Sequence, residues 1–204
     1  MDKPSNLTVI KNRIKKAQPG TVYVAVDFVN ISDKTNINAY LAVLAEQGVL
    51  HRVLRGVYYK PSYNELLKEY VAPDTDKVAQ AIARNYGWTI VPSGDTALNM
   101  LGLSTQVPAV WLYVSDGNYR EYTCGNFVIQ FKRTANKEIS KISFKTALVI
   151  QAIKALGKDK ITDDVIEKIR SLTTDEEKEQ MFVEAKYATA WIYDVIKEIC
   201  GGTK

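Results

Sequence analysis

Between residues 34 and 60 the chain sets cations and amides at intervals suited to gripping a polyanion. Lys34, Thr35, Asn36 and Asn38 crowd the start and outer face of an expected helix. Asparagine pairs bidentately with adenine, threonine offers a hydroxyl to a base or a methyl to thymine, and lysine anchors phosphate or guanine. Each also has a plainer local use, because Asn and Thr near a helix start commonly cap the backbone and a lysine there can simply be solvated. The run His51-Arg52-Val53-Leu54-Arg55-Gly56-Val57-Tyr58-Tyr59-Lys60 alternates bulky apolar residues with cations around one glycine. Such a ribbon can bury one face and offer Arg52, Arg55 and Lys60 to phosphates, with Tyr59 completing the candidate set. The alternative is an ordinary amphipathic hairpin. His51 has no Ser, Cys or carboxylate at a recognisable motif spacing, which favours a packed or surface histidine over a catalytic base.

The distribution of charge supports the same region. The 204 residues carry a net charge of +4. Residues 1–63 hold nine cationic side chains against four acidic ones, and the remainder holds 18 against 19. All of the positive excess therefore belongs to the first third, where a phosphate backbone is the obvious attractor. A solvated basic face would give the same count.

Other chemistry is thinner. Asp95, Asp116, Glu121 and Lys132 lie in or beside expected strands, and carboxylates with a strand lysine are what a metal-dependent nuclease uses to hold Mg²⁺. Their spacing matches no motif, and aspartates at turns usually cap helices or close loops. Ser104, Thr105 and Gln106 could line a partner groove, or could satisfy the backbone of their own glycine-containing loop. Cys124, Cys200 and His51 give no zinc-ligand spacing and the cysteines read as free thiols. There is no P-loop, Rossmann glycine pattern or serine elbow. No catalytic residue, cofactor or metal is expected. No apolar run approaches a membrane span, nor does an apolar leader core follow Met1-Asp2-Lys3-Pro4, so a cytoplasmic location without membrane contact is expected.

Several elements must position the basic groups. Leu7, Ile10 and Ile14 recur at helical spacing after Ser5 and Asn6 and stop at Pro19-Gly20, which predicts a first helix. Thr21–Phe28 is β-branched and aromatic; local propensity predicts a strand, with a short helix over 24–29 as the alternative. Ile37, Leu41, Leu44 and Ala45 predict a helix over 34–47, with Ser32 or Asp33 as N-cap and Gly48 as stop. Residues 49–53 and 57–59 predict a hairpin that Pro61 ends. The order is that of a winged helix-turn-helix, whose later helix enters the major groove while the hairpin wing reaches the neighbouring backbone or minor groove.

Beyond it, 66–71 reads as a helical turn, 72–74 as a joint and 78–86 as a helix. Strands are expected over 88–91, 110–114, 121–124 and 127–131, with a short helix over 96–101. Helices follow over 144–156 and 163–172, and one long final helix within 175–199 carries Ala185, Ala188, Trp191, Ile192, Val195 and Ile199 as its apolar stripe. The expected class is α+β: a winged helix-turn-helix over 1–63, a linker over 64–75, and a mixed α+β domain with a helical C-terminus over 76–204.

The stretch Asp27-Phe28, Lys34-Thr35-Asn36-Ile37-Asn38, Leu41, Leu44, Gly48 and Arg52 through Tyr58 resembles the N-terminal winged helix of AbiEi-like antitoxins of type IV abortive-infection systems. Pro92-Ser93-Gly94, Ala97-Leu98-Asn99 and Leu101-Gly102-Leu103-Ser104-Thr105-Gln106-Val107-Pro108 resemble the C-terminal region of a related uncharacterised family. The resemblance implies an autorepressor that binds inverted repeats in double-stranded operator DNA. It also implies an antitoxin that counteracts a nucleotidyltransferase-type toxin, without requiring a stable complex. Residues 24–29 then become the second helix, against their strand propensity.

Overall fold

A computed structural model describes residues 4–135 and 139–201, and the chain divides into two compact units, Met1–Trp88 and Thr89–Lys204. Met1, Asp2 and Lys3, on which the reading of the chain's start rests, lie outside the described residues.

In the first unit α1 (Asn6–Lys16) is capped by Ser5, whose hydroxyl accepts from Thr8 N, and it buries Ile10 and Ile14 one turn apart. The ambiguous segment that follows resolves into both alternatives. Val22–Tyr23 form a short strand, β1, and Ala25–Phe28 form a single 3-10 turn in place of a full second helix. Asp27 makes that turn possible, since its Oδ2 accepts from Val24 N at 2.9 Å. Asp33 then caps α2 (Lys34–Glu46), accepting from Thr35 N and Asn36 N, both at 3.0 Å. Ile37, Leu41 and Leu44 point from α2 into a core shared with Ile10, Ile14 and Phe28, and each such side chain contributes about 1.5–3 kcal/mol on burial.

The hairpin β2 (His51–Leu54) and β3 (Val57–Tyr59) completes an antiparallel sheet of order β1-β3-β2. The hairpin is the wing, and its turn is only Arg55-Gly56, with Gly56 at φ 81°, a backbone region that disfavours residues with a Cβ. These elements form a winged helix-turn-helix-like arrangement.

Residues 63–70 depart from the sequence expectation. They form a second hairpin, β4 (Tyr63–Asn64) and β5 (Glu69–Tyr70), instead of a helical turn. The Asn64 side chain accepts from Leu66 N and Leu67 N, and Lys68 takes the left-handed conformation at φ 52°; this local turn overrides the helix propensity of Glu65 to Lys68. The first unit extends past the linker expected over 64–75. Helix α3 (Thr75–Tyr86) belongs to the first unit, lying against β1, β3 and the 3-10 turn. Arg84 fixes it there through an ion pair with Asp27 (Nε to Oδ1 3.2 Å) and a hydrogen bond to Val22 O.

The second unit holds a four-stranded sheet of order β6-β7-β9-β8, from β6 (Ile90–Pro92), β7 (Val110–Ser115), β8 (Arg120–Cys124) and β9 (Phe127–Arg133), with β7 and β9 parallel. Helices α4 (Asp95–Met100), α5 (Phe144–Leu156), α6 (Asp163–Ser171), α7 (Asp175–Glu184) and α8 (Ala190–Ile199) share its core, with α5 buried along most of its length. The α+β class and helical end are as expected, but the long final helix is broken between α7 and α8, where Ala188 and Thr189 turn extended. One straight helix over 175–199 would run roughly 37 Å against the roughly 20 Å of α5. The break lets α7 and α8 both pack on α5. Among the described residues no helix is long and apolar enough to cross a membrane.

Candidate nucleic-acid interface

One groove of about 510 Å³ gathers four of the eight residues expected to meet nucleic acid. Lys34 and Asn38 stand one helical turn apart on α2, with Ala42 on the turn after; Arg52 and Arg55 come from the wing, and Tyr58, Ala25, Gly56 and Asn85 complete the lining. Three cations and two amides thus surround a concavity into which no lining residue brings a carboxylate. Arg52 directs its Nε at Leu54 O at 3.4 Å, whereas Lys34, Asn38 and Arg55 have no side-chain partner among the described residues. Exposed cations without a counter-charge are a favourable setting for a phosphodiester strand, because binding then breaks no internal ion pair.

The other four candidates are placed differently. Thr35 is exposed beside the groove residues on the first turn of α2. Asn36 is drawn to the cap, donating Nδ2 to Asp33 Oδ2 at 2.6 Å. These contacts, the backbone N–H of Asn36 foremost, hold the Asp33 carboxyl below its ordinary pKa. Lys60 donates Nζ to Lys15 O and Ala17 O at 2.7 and 2.6 Å, closing the C-terminal end of α1 instead of projecting to solvent. Tyr59 is buried, edge-on to His51, with burial and the neighbouring Tyr70 raising its phenol pKa. It is buried because β3 is the central strand and is covered on both faces. Tyr58, its neighbour on the opposite face, is the tyrosine that floors the groove.

Two contributors escaped the sequence reading. Asp27 accepts from Val24 N and Arg84, while its carbonyl accepts from Arg13 Nη1 at 2.9 Å. This hub ties the 3-10 turn to α1 and α3. Asn85 enters from α3, 43 residues beyond Ala42. An alternating polar and apolar pattern cannot reveal contacts at that separation.

Candidate groups of the second unit do not converge. Asp116 Oδ1 accepts from Thr89 N, Glu121 accepts from Gln130 Nε2 and the Tyr119 hydroxyl, and Asp95 opens α4. Among the described residues no three His, Cys, Asp or Glu side chains gather as metal ligands. The loop after α4 uses its own polar groups: Asn99 Nδ2 donates to Gln106 O, and Gln106 N donates to Ser104 Oγ. Burial raises both thiol pKa values, and Cys200 Sγ donates to Lys178 O.

A model for a family of unknown function (DUF6088) matches residues 9–181, which span the groove and most of the second unit. The chain belongs to that family. The DUF6088 match takes in every groove residue from Ala25 to Asn85, together with the Pro92-Ser93-Gly94 and Leu101–Pro108 motifs. Among curated proteins none matches the chain.

Proposed function

We propose that the first unit binds double-stranded DNA through the α2–wing groove and that the protein is a transcriptional autorepressor doubling as the antitoxin of a toxin–antitoxin pair. The observation that carries the DNA half is the grouping of Lys34, Arg52 and Arg55 with Asn38 in one groove free of acids. In this reading the wing cations hold phosphates while Asn38 and Thr35 reach base edges. The regulatory half rests on the likeness to AbiEi-like antitoxins, with inverted repeats before its own gene as the operator and a nucleotidyltransferase-type protein as the toxin to be countered.

The test uses fluorescence anisotropy on two duplexes, one from the protein's own promoter and one of scrambled sequence, over a range of salt. Salt-sensitive binding to both, tighter on the promoter, is the expected result; equal affinity for both removes the repressor reading. Failure to bind either duplex removes DNA binding altogether. Co-expression with the adjacent gene product tests the antitoxin role, with relief of growth arrest expected.

A further inference from the structure

We infer that α3 is an additional DNA-contacting element and that Asn85 donates a hydrogen bond to the sugar-phosphate backbone; this rests on the DNA-binding reading above. A winged helix needs only its recognition helix and wing to grip a duplex. Here the groove between them has a further wall. Asn85, in the last turn of α3, lines the same concavity as Lys34, Asn38, Arg52 and Arg55. Its side chain is half-buried and, among the described residues, makes no hydrogen bond within the protein. A partly buried amide without a partner, set among three cations, is left with unused donors facing the place where an anion is most favoured.

Its position is held firmly. One residue earlier, Arg84 binds both carboxylate oxygens of Asp27, at 3.2 and 3.3 Å, and Val22 O at 3.3 Å. One residue after Tyr86, Gly87 takes φ 70° and closes the helix, with Gly87 N and Trp88 N donating to Arg84 O and Ala83 O. These two donors engage two of the last-turn carbonyls, Arg84 O and Ala83 O, which lessens the repulsion a phosphate meets at a helix C-terminus. The residue that α3 contributes to the groove lining is Asn85, whose amide is neutral.

The charge of that amide makes the role separable from that of its neighbours. Counterion release follows the number of phosphates neutralised by cations. Loss of an uncharged donor therefore weakens binding without altering its salt dependence. The experiment measures duplex affinity of the full chain at four or more salt concentrations for the wild type, Asn85→Ala, Asn85→Lys and Arg55→Ala, with thermal melts alongside. Asn85→Ala should bind about three- to tenfold more weakly at every salt with an unchanged log–log slope. Asn85→Lys should steepen the slope by about 0.9. Wild-type affinity and slope in both Asn85 variants, while Arg55→Ala weakens binding, overturns the inference and leaves the DNA-binding reading standing. Absence of duplex binding by the wild type overturns both.

Discussion

The α2–wing groove of the first unit and the segment from Ser93 to Gln106 of the second are both rich in polar side chains, yet they use them in opposite ways. In the groove the side chains of Lys34, Asn38, Arg55 and Asn85 have no hydrogen-bond partner among the described residues. In the second segment Ser93 donates to Gln151 Oε1, Thr96 Oγ1 accepts from Leu112 N at 2.7 Å, and Asn99 and Ser104 bond the loop's own backbone. Gly94 completes that packing, as a Cβ there would meet Leu112 Cδ2 at 3.3 Å in a left-handed conformation. Residue type therefore separates the two regions poorly. What separates them is whether the hydrogen-bonding capacity is already satisfied inside the fold: satisfied groups hold structure, and unsatisfied ones at a concave surface await a ligand.

Under the proposed function this contrast separates a binding region from a structural one, and the two most telling substitutions test it from either side. Replacing Lys34, Arg52 and Arg55 together by alanine should cut the salt slope of duplex binding by about 2.7. The same change should leave folding stability within about 0.5 kcal/mol per site, as thermal melts would register. A large stability loss with an unchanged slope would reverse the assignment. Thr96→Val should do the opposite. Thr96 is fully buried and accepts from Leu112 N, so the change strands a partly buried N–H at a cost of about 1 kcal/mol. A lower denaturant midpoint with unaltered DNA affinity is expected.

The sequence carries the repeating parts of this picture well and the singular parts poorly. The spacing of Ile37, Leu41 and Leu44 defines the buried face of α2, and Asn38 falls outside it. Cations alternating with apolar residues around Gly56 define the wing. Periodicity fails where one side chain decides the backbone. Asp27 folds Ala25–Phe28 into a 3-10 turn, and Asn64 turns Tyr63–Tyr70 into a hairpin where Leu66, Leu67 and Lys68 favour helix. It fails again at long range, since the Asp27–Arg84 pair that attaches α3 to the first unit joins residues 57 apart. Lys60 shows the same limit. A cation at the end of a basic strand looks like a phosphate contact until the carbonyls at the end of α1 are seen to hold it.

Lys60 gives a smaller test of the same distinction. Lys60→Met keeps the length of the side chain and removes the ammonium that bonds Lys15 O and Ala17 O. The expected loss is about 0.5–1.5 kcal/mol of stability with no change in salt slope; a phosphate-binding lysine would instead remove about 0.9 from that slope.

The finest contrast lies in Asp33, a helix-capping residue next in sequence to the groove-lining Lys34. Its carboxylate caps α2 one residue before Lys34, and the hydrogen bonds it receives from Asn36 N, Asn36 Nδ2 and Thr35 N hold its pKa below the ordinary 3.8. A carboxyl whose pKa is lower in the folded state contributes stability that is fully present above the unfolded value and is lost as the pH falls through the folded one. Wild-type protein should therefore lose this contribution only below about pH 4. Asparagine caps a helix about as well as aspartate, so Asp33→Asn should leave stability at neutral pH nearly unchanged and remove this part of the acid sensitivity. It also deletes the anion nearest in sequence to Lys34, so duplex affinity should rise by a few fold at low salt and converge on wild type as salt increases. Tighter binding at equal stability would show that one residue serves the fold at a measurable expense to the ligand; unchanged affinity would place the DNA backbone away from the N-terminal end of α2.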